Sequence, residues 1–278
     1  MPSIREKYFE LRKLNNKYLP ENIILDLLML VNNITSNASL ILSFDDECKN
    51  VKKLDELVGK ITQGYPYQYA TNKSIFNSLN FYVNEDVLIP RNETEQLVKI
   101  VEQLIKEKYS DKHITLFDVC CGSGCIGLSL KNDIKKADVY LSDISKAALD
   151  VCGINAKNLN LSVVTFLGDI IEPFILNNLK ADVLVSNPPY ISSKDTVEPQ
   201  TLKYEPHLAL FASPSTYFYE EIFKKYEQIM NKEFIMAFEI GEDMEDVLTE
   251  LVNKYFPLDK YEFIKDIYDK VRFLIIIR

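Results

Sequence analysis

The 278-residue chain has little of what marks several protein classes. No stretch approaches the roughly 18 uninterrupted apolar residues of a membrane span, so no membrane partner is expected. The polar segment Met1 to Lys17 does not read as a signal peptide, and a cytoplasmic location is expected. No block of lysine or arginine stands out, and the net charge is −9. Proteins that grip duplex nucleic acid by its phosphates present basic surfaces, so no direct nucleic-acid partner is expected. Histidines number two, His113 and His207. Of the five cysteines, Cys120, Cys121 and Cys125 cluster, while Cys48 and Cys152 stand apart. Two adjacent cysteines with a third four positions on do not match a zinc spacing, so no metal site is expected. They read instead as small, partly buried thiols in a reducing compartment.

What is present reads as three regions. Residues 1–72 carry apolar side chains at helical spacing, among them Ile23, Ile24, Leu27, Leu28, Leu30 and Val31. Pro20 before Glu21 suits a helix start, and Ser43 or Asp45 is expected to cap the next helix. From Gly59 to Tyr69 the chain reads as irregular and aromatic. Residues 73–92 form a connector: a strand Ser74-Ile75-Phe76, a turn at Asn77-Ser78, a strand Phe81-Tyr82-Val83, then Leu88-Ile89-Pro90-Arg91. Glu93 to Lys108 is helical, with Leu97, Ile100, Val101, Leu104 and Ile105 on one face.

Beyond Lys112 strands and helices alternate. Strands are expected at Thr115 to Cys120, Val139 to Ser142, Val163 to Leu167, Asp182 to Ser186, Phe234 to Glu239, Tyr261 to Lys265 and Val271 to Ile277. Helices are expected at Cys125 to Asn132, Lys146 to Asn158, Tyr217 to Asn231 and Asp243 to Tyr255. Such alternation specifies a parallel sheet with right-handed crossovers. The link between the last two strands is too short for a crossover helix, so they must pair antiparallel.

The strand ends carry the chemistry. Asp118-Val119-Cys120-Cys121-Gly122-Ser123-Gly124 closes the first strand and opens a helix, whose N-terminus is the positive end of its dipole. Gly122, Gly124 and Gly127 also complete a dinucleotide-type glycine spacing, so a nicotinamide cofactor has to be weighed. Asp143 ends the second strand, nineteen residues past Gly124, where a carboxylate can accept from both ribose hydroxyls. Gly168-Asp169 ends the third, within reach of an adenine edge. Asn187-Pro188-Pro189-Tyr190 follows the fourth. The two prolines stiffen this loop and bring no N–H of their own, so it presents carbonyl oxygens. Asparagine can accept from and donate to another planar amide or amine, and Tyr190 adds a flat face. The loop is built to receive a planar NH2 group, which a nicotinamide reading leaves unexplained. A capped turn after a strand is the plain alternative.

In this order and spacing, Gly122-Ser123-Gly124, Asp143, Gly168-Asp169 and Asn187-Pro188-Pro189-Tyr190 resemble a class I S-adenosylmethionine-dependent methyltransferase of the amino-group type. Gly64-x-Pro66-x-x-Tyr69, Phe76, Phe81-x-Val83 and Leu88-Ile89-Pro90-Arg91-x-Glu93-Thr94-Glu95 narrow it. With Tyr204-Glu205-Pro206-x-x-Ala209-Leu210, Glu239-Ile240-Gly241 and Arg272, they resemble the protein-(glutamine-N5) methyltransferase family of HemK or PrmC type, which acts on peptide-chain release factors. The resemblance implies an α/β fold: a Rossmann-like seven-stranded sheet with its last strand antiparallel, in residues 93–278. It also implies that residues 1–72 are a helical substrate-recognition domain and 73–92 a β-hairpin connector. It assigns S-adenosylmethionine to Asp118, Cys120, Cys121, Gly122, Ser123, Gly124, Asp143, Asp169, Ile170 and Asn187. Asn187, Pro188 and Tyr190 become catalytic; Asn187, Pro188, Pro189, Tyr190, Arg91 and Glu93 contact the substrate, a release factor. The family has glycine and threonine where Cys120 and Cys121 stand, and an aromatic where Ile170 stands. Cys120 is small enough for a close backbone approach if its φ is negative. An adenine-N6 methyltransferase, or an idle partner with a methyltransferase fold, are the alternatives.

Overall fold

Five helices fill residues 1–72 of the computed structural model, which describes residues 1–110 and 112–278: α1 (Ile4–Lys13), α2 (Glu21–Asn32), α3 (Asn37–Leu42), α4 (Val51–Thr62) and α5 (Tyr67–Thr71). Ser3 starts α1 with a reciprocal cap: its hydroxyl accepts from the Glu6 N–H, and the Glu6 carboxylate accepts from the Ser3 N–H. Leu11, Ile24, Leu27, Leu28, Leu54 and Ile61 interlock in this unit's own core. Two local expectations fail. Neither Ser43 nor Asp45 caps α4, which begins after Asn50, while Asp45 instead pairs with Arg5. The stretch from Gly59 to Tyr69 is not irregular throughout: α4 continues through Gly59 and α5 opens at Tyr67. Gly59 has open space around it, so nothing there forces a turn.

Residues 73–278 form the second unit, and the hairpin belongs to it. Strands β1 (Ser74–Phe76) and β2 (Leu79–Phe81) pair antiparallel around Asn77 and Ser78, both at positive φ, the requirement of a two-residue hairpin turn. The second strand therefore ends at Phe81 rather than running on to Val83. Phe76 and Phe81 are fully buried against the large sheet's core.

The remaining elements are α6 (Asn92–Tyr109), β3 (Ile114–Val119), α7 (Cys125–Asp133), β4 (Ala137–Asp143), α8 (Lys146–Asn158), β5 (Val164–Leu167), α9 (Glu172–Leu176), β6 (Ala181–Ser186), α10 (Pro199–Tyr204), α11 (Tyr217–Ile229), β7 (Met230–Glu239), α12 (Glu245–Tyr255), β8 (Lys260–Lys265) and β9 (Val271–Ile277). The strands order as β5-β4-β3-β6-β7-β9-β8, all parallel from β5 to β7, with β9 antiparallel to both neighbours. Alternate residues divide between two cores. Leu116, Leu141, Val183 and Ile235 face α6, α7 and α8; Phe117, Leu184, Met236 and Leu274 face α9, α11 and α12. Burial on both faces explains why the central strands read as near-continuous apolar runs. Most expected boundaries shift by a residue or two, and the largest shift is at β7, which begins at Met230 rather than Phe234, so Met230 and Asn231 belong to it instead of ending α11.

Candidate active site

The order in which strands are laid down reverses between the parallel neighbours β3 and β6, and a crevice opens there at the carboxyl ends of the strands, where open α/β sheets take ligands. A solvent-open cavity occupies it, lined by Cys120 to Ser123 from the end of β3, Asp143 from β4, Asp169 and Ile170 from β5, and Asn187 from β6. Leu88, Pro90 and Arg91 from the connector, with Pro206, Leu208 and Ala209, also line it. Glu205 fastens these two segments together: its carboxylate accepts from the Ile89 N–H at 3.0 Å and pairs with Arg91 at 2.5 Å.

The β3 loop is held from below and from the side. Asp143 accepts from the Gly122 N–H and the Ser145 N–H, both at 2.8 Å, and burial raises its carboxyl while those bonds oppose the rise. Where a Gly122 side chain would sit there is open space, at φ +53°. Asn155 of α8, fully buried, accepts from the Tyr82 N–H and donates to the Tyr82 and Ser123 carbonyls. Ser142 and Ser186 donate to the carbonyls of Ile170 and Val119, tying neighbouring strand ends together. A largely apolar crevice carrying the Asp143 carboxylate at the β4 end could hold a nucleoside-bearing cofactor.

Cys120 corrects an expectation, because its φ is +59°, not negative. A side chain in the left-handed region costs about 1 kcal/mol or more relative to glycine. Ile170, on the opposite lip, is also left-handed at φ +46°. Cys120→Gly is therefore expected to stabilise the protein by roughly 0.5–1 kcal/mol, read as a raised urea midpoint with unchanged m-value.

Asp118 does not reach the cavity. It lies fully buried beneath the loop, where one oxygen accepts from the Gly127 N–H at 2.8 Å and the other has no partner. A side chain at Gly127 would meet that carboxylate at 2.8 Å, so the third glycine serves helix–strand packing. Burial pushes the Asp118 carboxyl up to about 7. The folded protein thus holds this proton more tightly than the unfolded chain, and stability is lost as pH rises from about 4 to about 7. The stability of wild type relative to Asp118→Asn, from urea unfolding, should fall across that window and level off above it.

Gly124 also lies off the wall of this cavity. Its φ is +77°, and a side chain there would strike the Cys152 sulfur at 2.6 Å. The five cysteines are free, and among the described residues no cluster of metal-ligating side chains occurs.

A second, solvent-open cavity lies behind the Asn187 loop, lined by Pro188, Tyr190, Ile191, Thr196 to Glu198, Thr201 and Glu239. Asn187, Pro189 and Arg91 line both cavities. Glu93 lines neither. Glu239, at the end of β7, is buried and accepts from the Thr94 hydroxyl at 2.6 Å and the Tyr190 hydroxyl at 3.2 Å. Asn187 donates its amide N–H to Thr94 Oγ1 at 3.3 Å. Burial, with the Glu239 charge beside it, raises the Tyr190 hydroxyl's pKa, so Tyr190 stays neutral. The role of Thr94, Glu239 and Asn155 was not legible beforehand, because each acts on partners far away in the chain.

Residues 95–243 match the family described as Methyltransferase small domain. A release factor glutamine methyltransferase of Mycoplasma mycoides is 38% identical over 235 residues, covering 82% of each chain. One from Bacillus cereus is 35% identical, over 80% of this chain and 79% of that one. The chain belongs to the release factor glutamine methyltransferase family. Among solved structures, a methyltransferase from Pyrococcus furiosus superposes with a TM-score of 0.51 at 14% identity, covering 72% of this chain and 89% of that one. A T. thermophilus 16S rRNA N2 methyltransferase solved with AdoMet and guanosine gives 0.53 at 12%, covering 74% and 49%. At such identities these two speak for the fold alone, that of a class I methyltransferase.

Proposed function

We propose that the protein transfers a methyl group from S-adenosylmethionine to the N5 amide nitrogen of the glutamine in the Gly-Gly-Gln motif of peptide-chain release factors. The observation that carries this reading is Asn187, which stands on the wall shared by the two cavities. The crevice over β3, β4 and β5 offers the Asp143 carboxylate to hold the cofactor, with Cys120 to Ser123, Asp169 and Ile170 around it. When bound there, S-adenosylmethionine supplies an electrophilic methyl on a sulfonium.

This chain's residues do the rest. An amide nitrogen is a poor nucleophile, because its lone pair is delocalised into the carbonyl. The Asn187 Oδ1 and the Pro188 carbonyl offer acceptors for its two N–H groups, and those bonds strengthen as the nitrogen becomes positive. Tyr190 packs against the amide plane, and Pro188 and Pro189 keep the loop from yielding. The release factor itself is recognised by the helical unit of residues 1–72 and by Arg91 at the cavity mouth. No helix among the described residues is long and apolar enough to cross a membrane, and a translational substrate implies a cytoplasmic enzyme.

The test is incubation with labelled S-adenosylmethionine, purified release factor and DNA, with the label located by mass spectrometry. Label on the Gly-Gly-Gln glutamine is expected. Label on adenine, or none, overturns the reading.

A further inference from the structure

We infer that Glu239 and Thr94 form a positioning relay that dictates which end of the Asn187 side-chain amide faces the acceptor cavity, an inference that rests on the glutamine-methylation reading. An ionised carboxylate can only accept, and a hydroxyl has a single proton. Glu239 Oε2 takes the Thr94 proton in a 2.6 Å bond, and Oε1 takes that of Tyr190 at 3.2 Å. Burial and the Glu93 charge raise the Glu239 carboxyl, while these two bonds and the Arg272 guanidinium oppose the rise; with both hydroxyls donating to it, the carboxylate serves only as acceptor. Thr94 Oγ1 then has only lone pairs left for Asn187.

Asparagine must therefore turn its NH2 toward Thr94, as it does at 3.3 Å, which leaves Oδ1 as the free acceptor. The flipped amide would set Oδ1 against a lone pair and present an NH2 to an incoming NH2, which it could not hold. Thr94 and Glu239 are 2% and 3% exposed, so water does not readily supply a substitute partner. Three elements supply the relay: Thr94 from the first turn of α6, Glu239 from the end of β7, and Asn187 from the loop after β6. Neither Thr94 nor Glu239 needs to touch the reacting nitrogen; both act through Asn187.

The test compares Thr94→Val and Thr94→Ser with release factor as substrate. Valine keeps the shape but removes the acceptor, and kcat is expected to fall roughly 100-fold, the cost of misplacing a reacting group. Serine restores the hydroxyl and should hold kcat within about threefold, with cofactor affinity unchanged in both variants by calorimetry. Valine at near-normal kcat, or serine falling as far as valine, overturns the relay. Should the valine variant fail to melt cooperatively, Glu239→Gln carries the test. It places a donor where two hydroxyls both need acceptors, and kcat should fall about tenfold or more; a kcat near wild type overturns the relay. A neutron structure of the wild-type protein separates this inference from the substrate assignment. Deuterons on the Asn187 nitrogen facing Thr94 support the relay whatever the substrate is, and the opposite orientation refutes it. A wild type that leaves the release factor unmethylated refutes only the substrate assignment.

Discussion

Asn187→Ala is expected to lower kcat by about 10³-fold while leaving affinity for S-adenosylmethionine within a factor of a few, since removing one preorganised hydrogen-bonding group at a reacting centre costs on the order of 10²–10³. The size of the effect follows from what the side chain is placed to do. Pro188 offers a single carbonyl, so without Oδ1 one N–H of the acceptor amide is unheld and the nitrogen can swing away from the methyl. Most of the rate in such a transfer is in-line positioning, and the loss falls on turnover. The cofactor cavity has many other walls, so its occupant is held as before. A methylation assay paired with calorimetry distinguishes the two, and near-normal turnover would sink the assignment of Asn187.

Asp143→Ala should behave in the opposite way. Its carboxylate is expected to hold the ribose of the cofactor, and it already accepts from Gly122 and Ser145. Hydrogen bonds to a charged group contribute about 1.5–3 kcal/mol each, so losing the ribose contact and slackening the Gly122 loop should weaken cofactor affinity roughly 100-fold or more. Turnover at saturating cofactor should change far less, because nothing in the second cavity depends on Asp143. Calorimetric titration checks this. An unchanged dissociation constant would contradict the ribose role.

Much of the fold could be read before any coordinates. The central strands declared themselves as short apolar runs, since both of their faces are covered, and α8 occupies the expected Lys146–Asn158. Helices α5, α9 and α10 were not anticipated. Each has five or six residues, under two turns, which is too short for a periodicity to develop. Asn187, Asp143 and Gly122 were visible because each stands in a short motif at a strand end. Asp118 stands in such a motif too, yet it points beneath the loop, and spacing alone carries no information on which side of a strand's end a side chain leaves. Cys120 shows the other limit: residue type argues for negative φ, and only the bonds closing the turn, such as Cys121 N–H to the Ser142 carbonyl, override it. The Thr94–Glu239 pair spans 145 positions, and nothing in either local sequence names the other.

Asn155 joins the connector to the cofactor loop through one buried amide whose three bonds reach Tyr82 and Ser123. Opening either segment strands the same amide without partners, so the two are expected to loosen together as one cooperative unit rather than fray separately. A ligand that quiets the loop thereby also quiets the connector, and by reciprocity whatever steadies the connector tightens the grip on that ligand.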